Sequence, residues 1–347
     1  MWSHKYSGGG WLSSFFVTLN LLFLSAFQRG TASNTAPFSA VRGDIIAISR
    51  VKNEADIIEA FVRHTLHFAD RMIISDSGSI DGTWDILQKL VDEKLPIHII
   101  KDAKFAHDQS AKTTALYHLA LRHNPEFVMP LDADEFIQAK NRTALRKTFQ
   151  NIPPTGAGQC RWKNYALSDI QDPRISERFS RRAKKSLYRK VVIRAPGPVD
   201  KDAIIEQGNH AFQRFGKMVE QPVLDECSIA HFPVRSAQQL GKKALVGWLA
   251  NVAQFGAGTM SSFHWRELYE RVLSGATLNE RVLAEEAYWY GTGREARTGD
   301  IDFVRDPPLI FPENASILFK EKNPLQTSQE LLAFVCRTWE GNLKANA

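Results

Sequence analysis

The order of apolar segments along residues 44–131 predicts an α/β fold with a mixed, mostly parallel sheet flanked by helices. Four short apolar runs alternate with three stretches in which apolar residues recur at helical spacing. Strands that alternate with helices in this way pair in parallel and place the helices on both faces of the sheet. Residues 236–296 show a helical pattern, so we expect a largely helical C-terminal part.

The first strand is predicted at residues 44–49, a continuous apolar run that is short enough for a buried strand. Residues 55–68 follow as an amphipathic helix because their apolar residues lie on one helical face. Residues 72–74 form the second strand and lead into a turn over residues 76–82. The first strand-helix-strand unit is therefore complete by residue 74.

The second helix begins near Asp81 or Thr83, either of which can cap its first turn. Residues 97–100 form the third strand, residues 111–120 mark the third helix, and residues 127–131 form the fourth strand. Together these elements give the order of a mostly parallel sheet.

The pattern loosens after residue 150. We expect a turn at residues 153–158, a sheet-edge segment at residues 158–167 and a strand at residues 191–193. Residues 174–190 are dense in Arg and Lys, which is typical of a solvated loop and can also steer an anionic ligand. The domain boundaries we expect are an N-terminal extension over residues 1–40, a core domain over 41–235 and a helical region over 236–347.

The composition is that of a globular protein with a small excess of positive charge. Among 347 residues, 44 are Lys or Arg and 38 are Asp or Glu, giving a formal net charge of +6. This balance suits phosphorylated ligands or an anionic membrane surface, and the sequence carries no basic-aromatic pattern typical of nucleic-acid binding. The cysteines lack the spacing of a zinc site or a disulfide framework and suggest buried thiols in a reducing compartment: Cys160, Cys227 and Cys336.

Residues 11–27 are the one candidate membrane or targeting segment in the sequence. The segment is shorter than the roughly 20 apolar residues that span a bilayer, and polar residues interrupt it. A signal anchor, a cleaved signal peptide and an unstructured extension all stay open as interpretations.

Polar side chains follow three of the predicted parallel strands. Asn53 and Glu54 come after the first strand, Asp76 ends the second, and Asp132 and Asp134 follow the fourth. Ligands in open α/β sheets bind beyond the carboxyl ends of the strands. We therefore expect these side chains to converge on one crevice.

The motif Asp132-Ala133-Asp134 comes directly after an apolar strand. In an extended backbone the side chains alternate, so both aspartates are expected to point one way and Glu135 to face the opposite side. Two hard carboxylates at a strand end suit Mg²⁺ or Mn²⁺ on a bound phosphate. A solvated acidic turn is the alternative for this motif taken alone.

Taken together, these motifs resemble the family 2-type glycosyltransferases. The resemblance is clear over about residues 44–137, where three motifs occur in the same order and each lies at a strand end: residues 48–56, 76–83 and 132–134. It continues more weakly through residues 208–210 and 230–236, which are similar to a bacterial family 2-like subgroup. The resemblance implies a GT-A fold, in which a Rossmann-like nucleotide-binding sheet is followed by an acceptor-binding part.

The resemblance also implies roles for individual residues. Asn53 and Glu54 would lie beside the nucleotide base, and Asp76 would accept a hydrogen bond from the base or the ribose. Asp132 and Asp134 would form the metal motif, with Asp134 as the direct ligand of Mn²⁺ or Mg²⁺.

The sequence marks the third metal ligand and the residues that contact the diphosphate less clearly. A downstream histidine can complete the metal shell, and His231 is favoured over His210 because Arg235 follows closely and can pair with phosphate. A packed core histidine is the alternative for either residue. Lys112 and His107 can reach the diphosphate, or they can belong to an exposed loop and helix start.

The catalytic base has no clear candidate in the sequence. Inverting transfer needs a carboxylate within hydrogen-bond reach of the acceptor hydroxyl. Asp225 and Glu226 are the one adjacent acidic pair among the downstream acids that we considered, although they also suit a solvated turn. The stereochemical outcome therefore stays open.

The sequence thus predicts a metal-dependent glycosyltransferase of the hexosyltransferase type. It would move a sugar from a UDP- or GDP-sugar to a saccharide or other hydroxyl acceptor, by inverting displacement. Scarce cysteines and the cytosolic supply of nucleotide-sugars favour a cytoplasmic catalytic domain, with membrane association through residues 11–27 as an open alternative.

Three other functions are less consistent with the sequence. A haloacid-dehalogenase-like phosphohydrolase needs a nucleophilic Asp after the first strand, where this chain has Ser49-Arg50. A nucleotidyltransferase would carry a glycine-rich loop at the same place. A non-catalytic carbohydrate-binding protein with a GT-A-like fold is disfavoured by the intact acidic motifs.

Overall fold

The computed structural model describes residues 43–102, 109–167, 179–255, 263–274, 278–290, 297 and 299–304. The N-terminal extension with its candidate segment and His107 lie outside these residues. Within them, no helix has both the length and the apolar character that crossing a membrane requires.

The predicted alternation of strands and helices is present from residue 45 to residue 131. Its elements are β1 (Ile45–Val51), α1 (Ile58–Phe68), β2 (Arg71–Asp76), α2 (Thr83–Asp92), β3 (Ile97–Lys101), α3 (Gln109–Leu121) and β4 (Phe127–Leu131). β1 pairs in parallel with β2 and with β4, and β2 pairs in parallel with β3. The predicted parallel sheet is therefore confirmed.

Later strands extend this sheet and add a smaller one. The elements are β5 (Glu135–Gln138), α4 (Arg142–Phe149), β6 (Ala157–Leu167), β7 (Phe179–Arg182), β8 (Arg189–Arg194), β9 (Ala203–Ile205), a 3₁₀ turn (Gln207–Asn209), β10 (Phe212–Arg214), β11 (Lys217–Met218) and β12 (Val223–His231). β8 joins β4 in the antiparallel direction, which makes the sheet mixed, as predicted. β9, β10 and β11 form a separate antiparallel sheet.

Two local predictions for this region are wrong. The segment expected at the sheet edge is β6, which pairs with β8, β7 and β12 and is therefore interior. The basic run is not one solvated loop, because its described part contains β7 and the start of β8. Lys190 in β8 is only 1% exposed.

The C-terminal part contains three described helices and one short strand. They are α5 (Ala237–Phe255), α6 (Phe263–Leu273), α7 (Glu280–Tyr288) and β13 (Phe303–Val304), which pairs with β7. Residues from the three helices share a small apolar core with β6, including Ala166, Leu240, Leu268 and Leu283. This packing holds α5 against the carboxyl-end side of the sheet, where it contributes to a pocket.

The main core lies on both faces of the parallel strands. Ile45 and Ala47 of β1 belong to one buried cluster, whereas Ile46 and Ile48 belong to the other. This alternation is what a strand buried on both faces requires. The polar strand ends remain outside both clusters and are available for a site.

Candidate functional site

The pocket at the strand ends has a volume of about 530 Å³ and is lined mainly by charged and aromatic side chains. Its cationic lining residues are Arg50, Lys52, Lys190, Lys242 and Lys243, and its carboxylates are Glu54, Asp132 and Asp134. Its aromatic lining residues are Trp162, Tyr188, His210, His231 and Tyr290. The pocket therefore joins an acidic motif with a larger number of cations.

The acidic motif reaches the pocket through a turn and not through an extended strand. Asp132 and Asp134 both line the pocket, although the backbone N–H of Glu135 donates to the carbonyl of Asp132 at 3.1 Å. Glu135 does not face the opposite side as expected. Lys190 Nζ lies 2.7 Å from Asp132 Oδ2 and 2.8 Å from Glu135 Oε1, because the turn brings both acids to the same ammonium group.

Asp134 is a buried carboxylate surrounded by cationic and imidazole groups. Its Oδ2 atom lies 2.7 Å from Lys243 Nζ, 3.7 Å from His231 Nε2 and 3.9 Å from an Arg235 nitrogen. Burial alone would raise the pKa of Asp134, but these neighbours outweigh burial and hold it well below its usual range. Asp134 is therefore an anion at neutral pH.

His231 faces Asp134 as a neutral imidazole. Burial lowers the pKa of His231 to about 4. Its Nδ1 lies 2.8 Å from Asn164 Oδ1, and its ring stacks on Trp162 with 4.1 Å between ring centroids. With Nδ1–H donating to Asn164, the Nε2 lone pair points toward the Asp134 carboxylate. Two electron-donating atoms therefore face one another.

This arrangement fits a divalent cation held by Asp134 and His231. A carboxylate oxygen and an imidazole nitrogen are both suitable ligands of Mn²⁺, and their facing lone pairs favour a shared cation. Among the described residues, no group of three His, Cys, Asp or Glu side chains comes together closely enough to hold an ion. Two protein ligands with substrate phosphates and water would be the arrangement that Mg²⁺ commonly adopts.

Glu54 lines the pocket but is already bound to a cation. Arg235 Nη2 lies 2.6 Å from Glu54 Oε2, and Arg235 also contacts Asp56 at 2.7 and 2.9 Å. Burial raises the pKa of Glu54 in spite of this guanidinium. Arg235, expected to pair with phosphate, instead joins the loop after β1 to the segment after β12.

Asn53 and Asp76 hold two loops together at the strand ends. The Asn53 N–H donates to Ser79 Oγ at 2.8 Å, and the Asn53 side chain accepts from the Ile80 N–H at 2.9 Å. Asp76 Oδ1 accepts from the N–H groups of Gly78 and Ser79. Asp76 Oδ2 is buried without a hydrogen-bond partner among the described residues, and it does not line the pocket.

Three other sequence-predicted residues do not line this pocket. Lys112 lies 2.8 Å from Asp102 in a buried ion pair. Asp225 and Glu226 are exposed on β12, and Asp225 binds Arg161 at 2.9 Å. They are exposed because β12 has an irregularity between Leu224 and Ser228 that turns both acids outward. The structure therefore gives neither acid access to a ligand in the pocket.

His210 lines the pocket with a fixed tautomer. Its Nδ1 lies 2.7 Å from the Arg189 carbonyl, which can only accept, so Nδ1 carries the proton and Nε2 carries a lone pair. A Cβ on Gly208 would lie 2.6 Å from the His210 ring, so this position, with φ of 73°, requires glycine. Burial and then Lys190 lower the pKa of His210, which keeps the ring neutral.

Several residues that line the pocket were not predicted from the sequence. Tyr188 and Lys190 lie in the basic run, where Tyr188 directly precedes β8 and Lys190 belongs to it, and no pattern in the sequence marks either residue as part of a site. Lys243 lies in α5, where a basic residue in a helical pattern is usually solvent-exposed. The order of elements does not reveal that α5 packs against the strand ends, so no local signal marked this lysine.

The sequence profile described as Glycosyl transferase family 2 matches residues 45–205. Residues 45–205 are therefore similar in sequence to glycosyl transferase family 2. This range contains β1 to β9 and the strand-end motifs, so the resemblance that these motifs predicted is confirmed. The matched region supplies Glu54, Asp132, Asp134 and Lys190, whereas His231 and Lys243 come from later residues.

Two solved structures are similar to this chain. One is the mannosyltransferase PcManGT from Pyrobaculum calidifontis in complex with GDP-Man and Mn²⁺, with 24% identity over 43% of this chain and 45% of that chain and a TM-score of 0.28. The other is TarS from S. aureus, with 13% identity over 72% of this chain and 44% of that chain and a TM-score of 0.33. The chain thus spans less than half of the length of either structure. No curated protein matches it in sequence.

Proposed function

We propose that this protein is a glycosyltransferase that moves a sugar from a nucleotide-sugar donor to a hydroxyl acceptor, with Mn²⁺ or Mg²⁺ as cofactor. The observation that carries the proposal is the meeting of Asp134, His231 and several cationic side chains in one pocket of about 530 Å³. The match of residues 45–205 to the glycosyl transferase family 2 profile supports the same reaction class.

The cations of the pocket suit the diphosphate of a UDP- or GDP-sugar. Arg50 and Lys52 at the end of β1 line the same space as Lys243 in α5. Charge-assisted hydrogen bonds from such groups to phosphate oxygens are stronger than neutral ones. In a half-closed pocket they also raise the local concentration of an anionic donor.

Asp134 and His231 would hold the divalent cation, which neutralises the charge that develops as the nucleoside diphosphate leaves. Asp132 is turned toward Lys190, Gln109 and Asn209, with the Gln109 and Asn209 side-chain nitrogens 3.3 and 3.2 Å from its Oδ1. Asp132 is therefore better placed to accept a hydrogen bond, such as one from a ribose hydroxyl, than to contribute alone to the metal shell.

His210 is the group that we assign as the base toward the acceptor hydroxyl, in place of Asp225 and Glu226. A base needs an accessible lone pair in the pocket, and the hydrogen bond from His210 Nδ1–H to Arg189 leaves the Nε2 lone pair for this purpose. The three pocket carboxylates are instead held by lysine or arginine. Direct attack by the activated hydroxyl would invert the configuration at the sugar.

The aromatic wall suits a saccharide acceptor. Tyr188 is 43% exposed and stacks on His210, with Trp162 meeting both rings edge-on. Such rings offer a rigid apolar surface beside polar groups, which matches the two kinds of surface on a sugar ring.

Calorimetric titration with UDP, GDP and dTDP and with their sugars, with and without Mn²⁺, tests the proposal. We expect one nucleotide diphosphate to bind more tightly with Mn²⁺ and this gain to disappear in Asp134→Asn. Asp225→Asn removes the same charge at an exposed site and should bind like the unmodified protein. Absence of nucleotide binding, or binding that is indifferent both to Mn²⁺ and to Asp134→Asn, would refute the assignment.

A further inference from the structure

We propose that Lys243 is an internal counter-ion that binds Asp134 in the absence of donor and moves to the donor diphosphate when a divalent cation binds Asp134. The inference rests on the proposed function, because it requires a diphosphate donor and a metal site at Asp134. It adds a specific consequence, namely that donor and metal bind cooperatively through one lysine.

Lys243 and the metal ion would need the same oxygen atom. Lys243 Nζ lies 2.7 Å from Asp134 Oδ2, the same atom that faces His231 Nε2 at 3.7 Å. The Lys243 side chain is 22% exposed, whereas that of Asp134 is 6% exposed. Lys243 is therefore the more exposed partner of this ion pair, and it lines the pocket in which a ligand would bind.

Lys243 can leave its carboxylate partner more easily than the other cations near Asp134 and Asp132 can leave theirs. Arg235 is held by Glu54 and Asp56, and Lys190 is held between Asp132 and Glu135. Among the residues that the structure describes, Lys243 has one carboxylate partner at ion-pair distance, and its four-carbon stem is flexible. Its ammonium group also lies 5.5 Å from the centroid of the Tyr290 ring, a further favourable contact that does not fix its direction.

The position of Lys243 also explains how a buried carboxylate is tolerated without a ligand. An uncompensated buried charge is strongly destabilising, so Asp134 needs a cation close by. Lys243 supplies this cation and can be exchanged because it reaches Asp134 from a separate helix, α5. A divalent cation that arrives alone must break the 2.7 Å ion pair and leave the ammonium group without an anion.

A diphosphate changes this balance because it offers the ammonium group another anion within the same pocket. Donor binding then releases Asp134 Oδ2 for the metal ion, and metal binding releases Lys243 for the donor. By thermodynamic linkage, each ligand must raise the affinity of the other by the same factor. Removing the ammonium group should therefore have opposite effects on the two ligands when each is measured alone.

The test measures Mn²⁺ binding by electron paramagnetic resonance and UDP or GDP binding without metal by calorimetry, using the nucleotide that the unmodified protein prefers. In Lys243→Met we expect Mn²⁺ alone to bind about tenfold more tightly or better, because one charged contact of this kind is worth at least that factor. Metal-free nucleotide should bind about tenfold more weakly for the same reason. Lys243→Arg keeps the charge and should keep Mn²⁺ binding weak.

The double variant Lys243→Met with Asp134→Asn tests whether the increase in Mn²⁺ affinity depends on Asp134. We expect the double variant to lose that increase. Lys243→Gln, with thermal unfolding of each variant, provides a second neutral side chain should Met impair folding. The inference is overturned if neutral variants bind Mn²⁺ no more tightly than the unmodified protein, or if the gain persists without Asp134. If the unmodified protein binds nucleotide normally while the Lys243 variants fail to bind Mn²⁺ more tightly, only the role of Lys243 is refuted. If the unmodified protein binds neither Mn²⁺ nor nucleotide, the proposed transferase function is refuted as well.

Discussion

Arg235 Nη2 lies 2.6 Å from Glu54 Oε2, so a residue after β12 holds the loop that follows β1. The same guanidinium contacts both oxygens of Asp56. Arg235 has a side chain that is only 8% exposed and lies 3.9 Å from Asp134 Oδ2. The ion pair therefore joins two distant parts of the chain directly beside the acidic motif and fixes the geometry of that side of the pocket.

Replacement of Arg235 by Met should destabilise the protein strongly. The change leaves Glu54 and Asp56, whose side chains are 14% and 24% exposed, without their shared cation. Breaking a fully buried pair from one side costs about 3–5 kcal/mol, so we expect a loss toward the lower end of that range. The free energy of unfolding from urea titration measures the loss. Arg161→Met is the matched control because it breaks the exposed pair with Asp225, which should cost at most about 1 kcal/mol. Equal losses in the free energy of unfolding of both variants would show that the Arg235 ion pairs stabilise the protein no more than the exposed Arg161 pair does.

Replacement of Asp76 by Asn tests the predicted contact with the nucleotide and should leave the fold intact. Asp76 precedes the lining residue Ser77 without lining the pocket itself. The amide oxygen of Asn can still accept from the Gly78 and Ser79 N–H groups, so the turn after β2 is preserved. The second oxygen of Asp76 is buried and has no hydrogen-bond partner among the described residues, and in the variant an NH₂ group takes its place. If that oxygen accepts from a ring N–H of uracil or guanine, its loss should lower affinity about tenfold or more.

ADP provides the control for Asp76, since adenine carries no ring N–H at the corresponding edge. Calorimetry should show that the unmodified protein prefers UDP or GDP to ADP and that Asp76→Asn reduces this preference. An unchanged preference would limit Asp76 to its role in the turn.

The parallel half of the fold was predictable from the sequence because its information is local. β4 was placed at residues 127–131, the bounds that the structure shows, since a continuous apolar run between polar segments allows little choice. The convergence of Glu54, Asp132 and Asp134 was predictable for the same reason, because parallel strands bring their carboxyl ends to one edge.

The antiparallel half was not predictable in this way. β6 has the length and polarity of an edge strand, yet three other strands pair with it, and such pairings join residues far apart in the chain. The cationic partners of Asp132 and Asp134 could not be predicted, for the same reason. Lys190 and Lys243 are ordinary basic residues in the sequence, and only tertiary packing places them on Asp132 and Asp134.

Replacement of His210 by Asn should slow sugar transfer without weakening nucleotide binding. Asn can still donate to the Arg189 carbonyl but has no basic nitrogen in the pocket, and loss of a general base costs about 10²–10⁴ in rate. Steady-state kinetics across pH should also show that the rise in rate through the pKa of His210 is lost in the variant. His67→Asn is the control because His67 is exposed on α1. Transfer by His210→Asn within about tenfold of the unmodified rate, with its pH profile unchanged, would exclude this base.

His64 should make the stability of the protein fall between pH 6.5 and pH 4. Burial lowers the pKa of His64 from 6.5 to about 4, and its Nε2–H donates to the Ile137 carbonyl at 2.8 Å. The unfolded chain therefore binds a proton in this range that the folded protein does not. The resulting stabilisation is complete above pH 6.5 and is lost as the pH falls toward 4, by about 2 kcal/mol between pH 7 and pH 5.

His64→Gln isolates this contribution, since Gln can keep a donor toward Ile137 but does not titrate. Urea unfolding of both proteins at pH 7 and pH 5 gives the difference in their free energies of unfolding at each pH. Other titrating groups, including His231, contribute equally to both proteins and cancel in this difference. On acidification the difference should move by about 2 kcal/mol in favour of His64→Gln. A difference that does not change with pH would mean that His64 titrates alike in the folded and unfolded states, and a change in the opposite direction would mean that the folded protein holds His64 protonated.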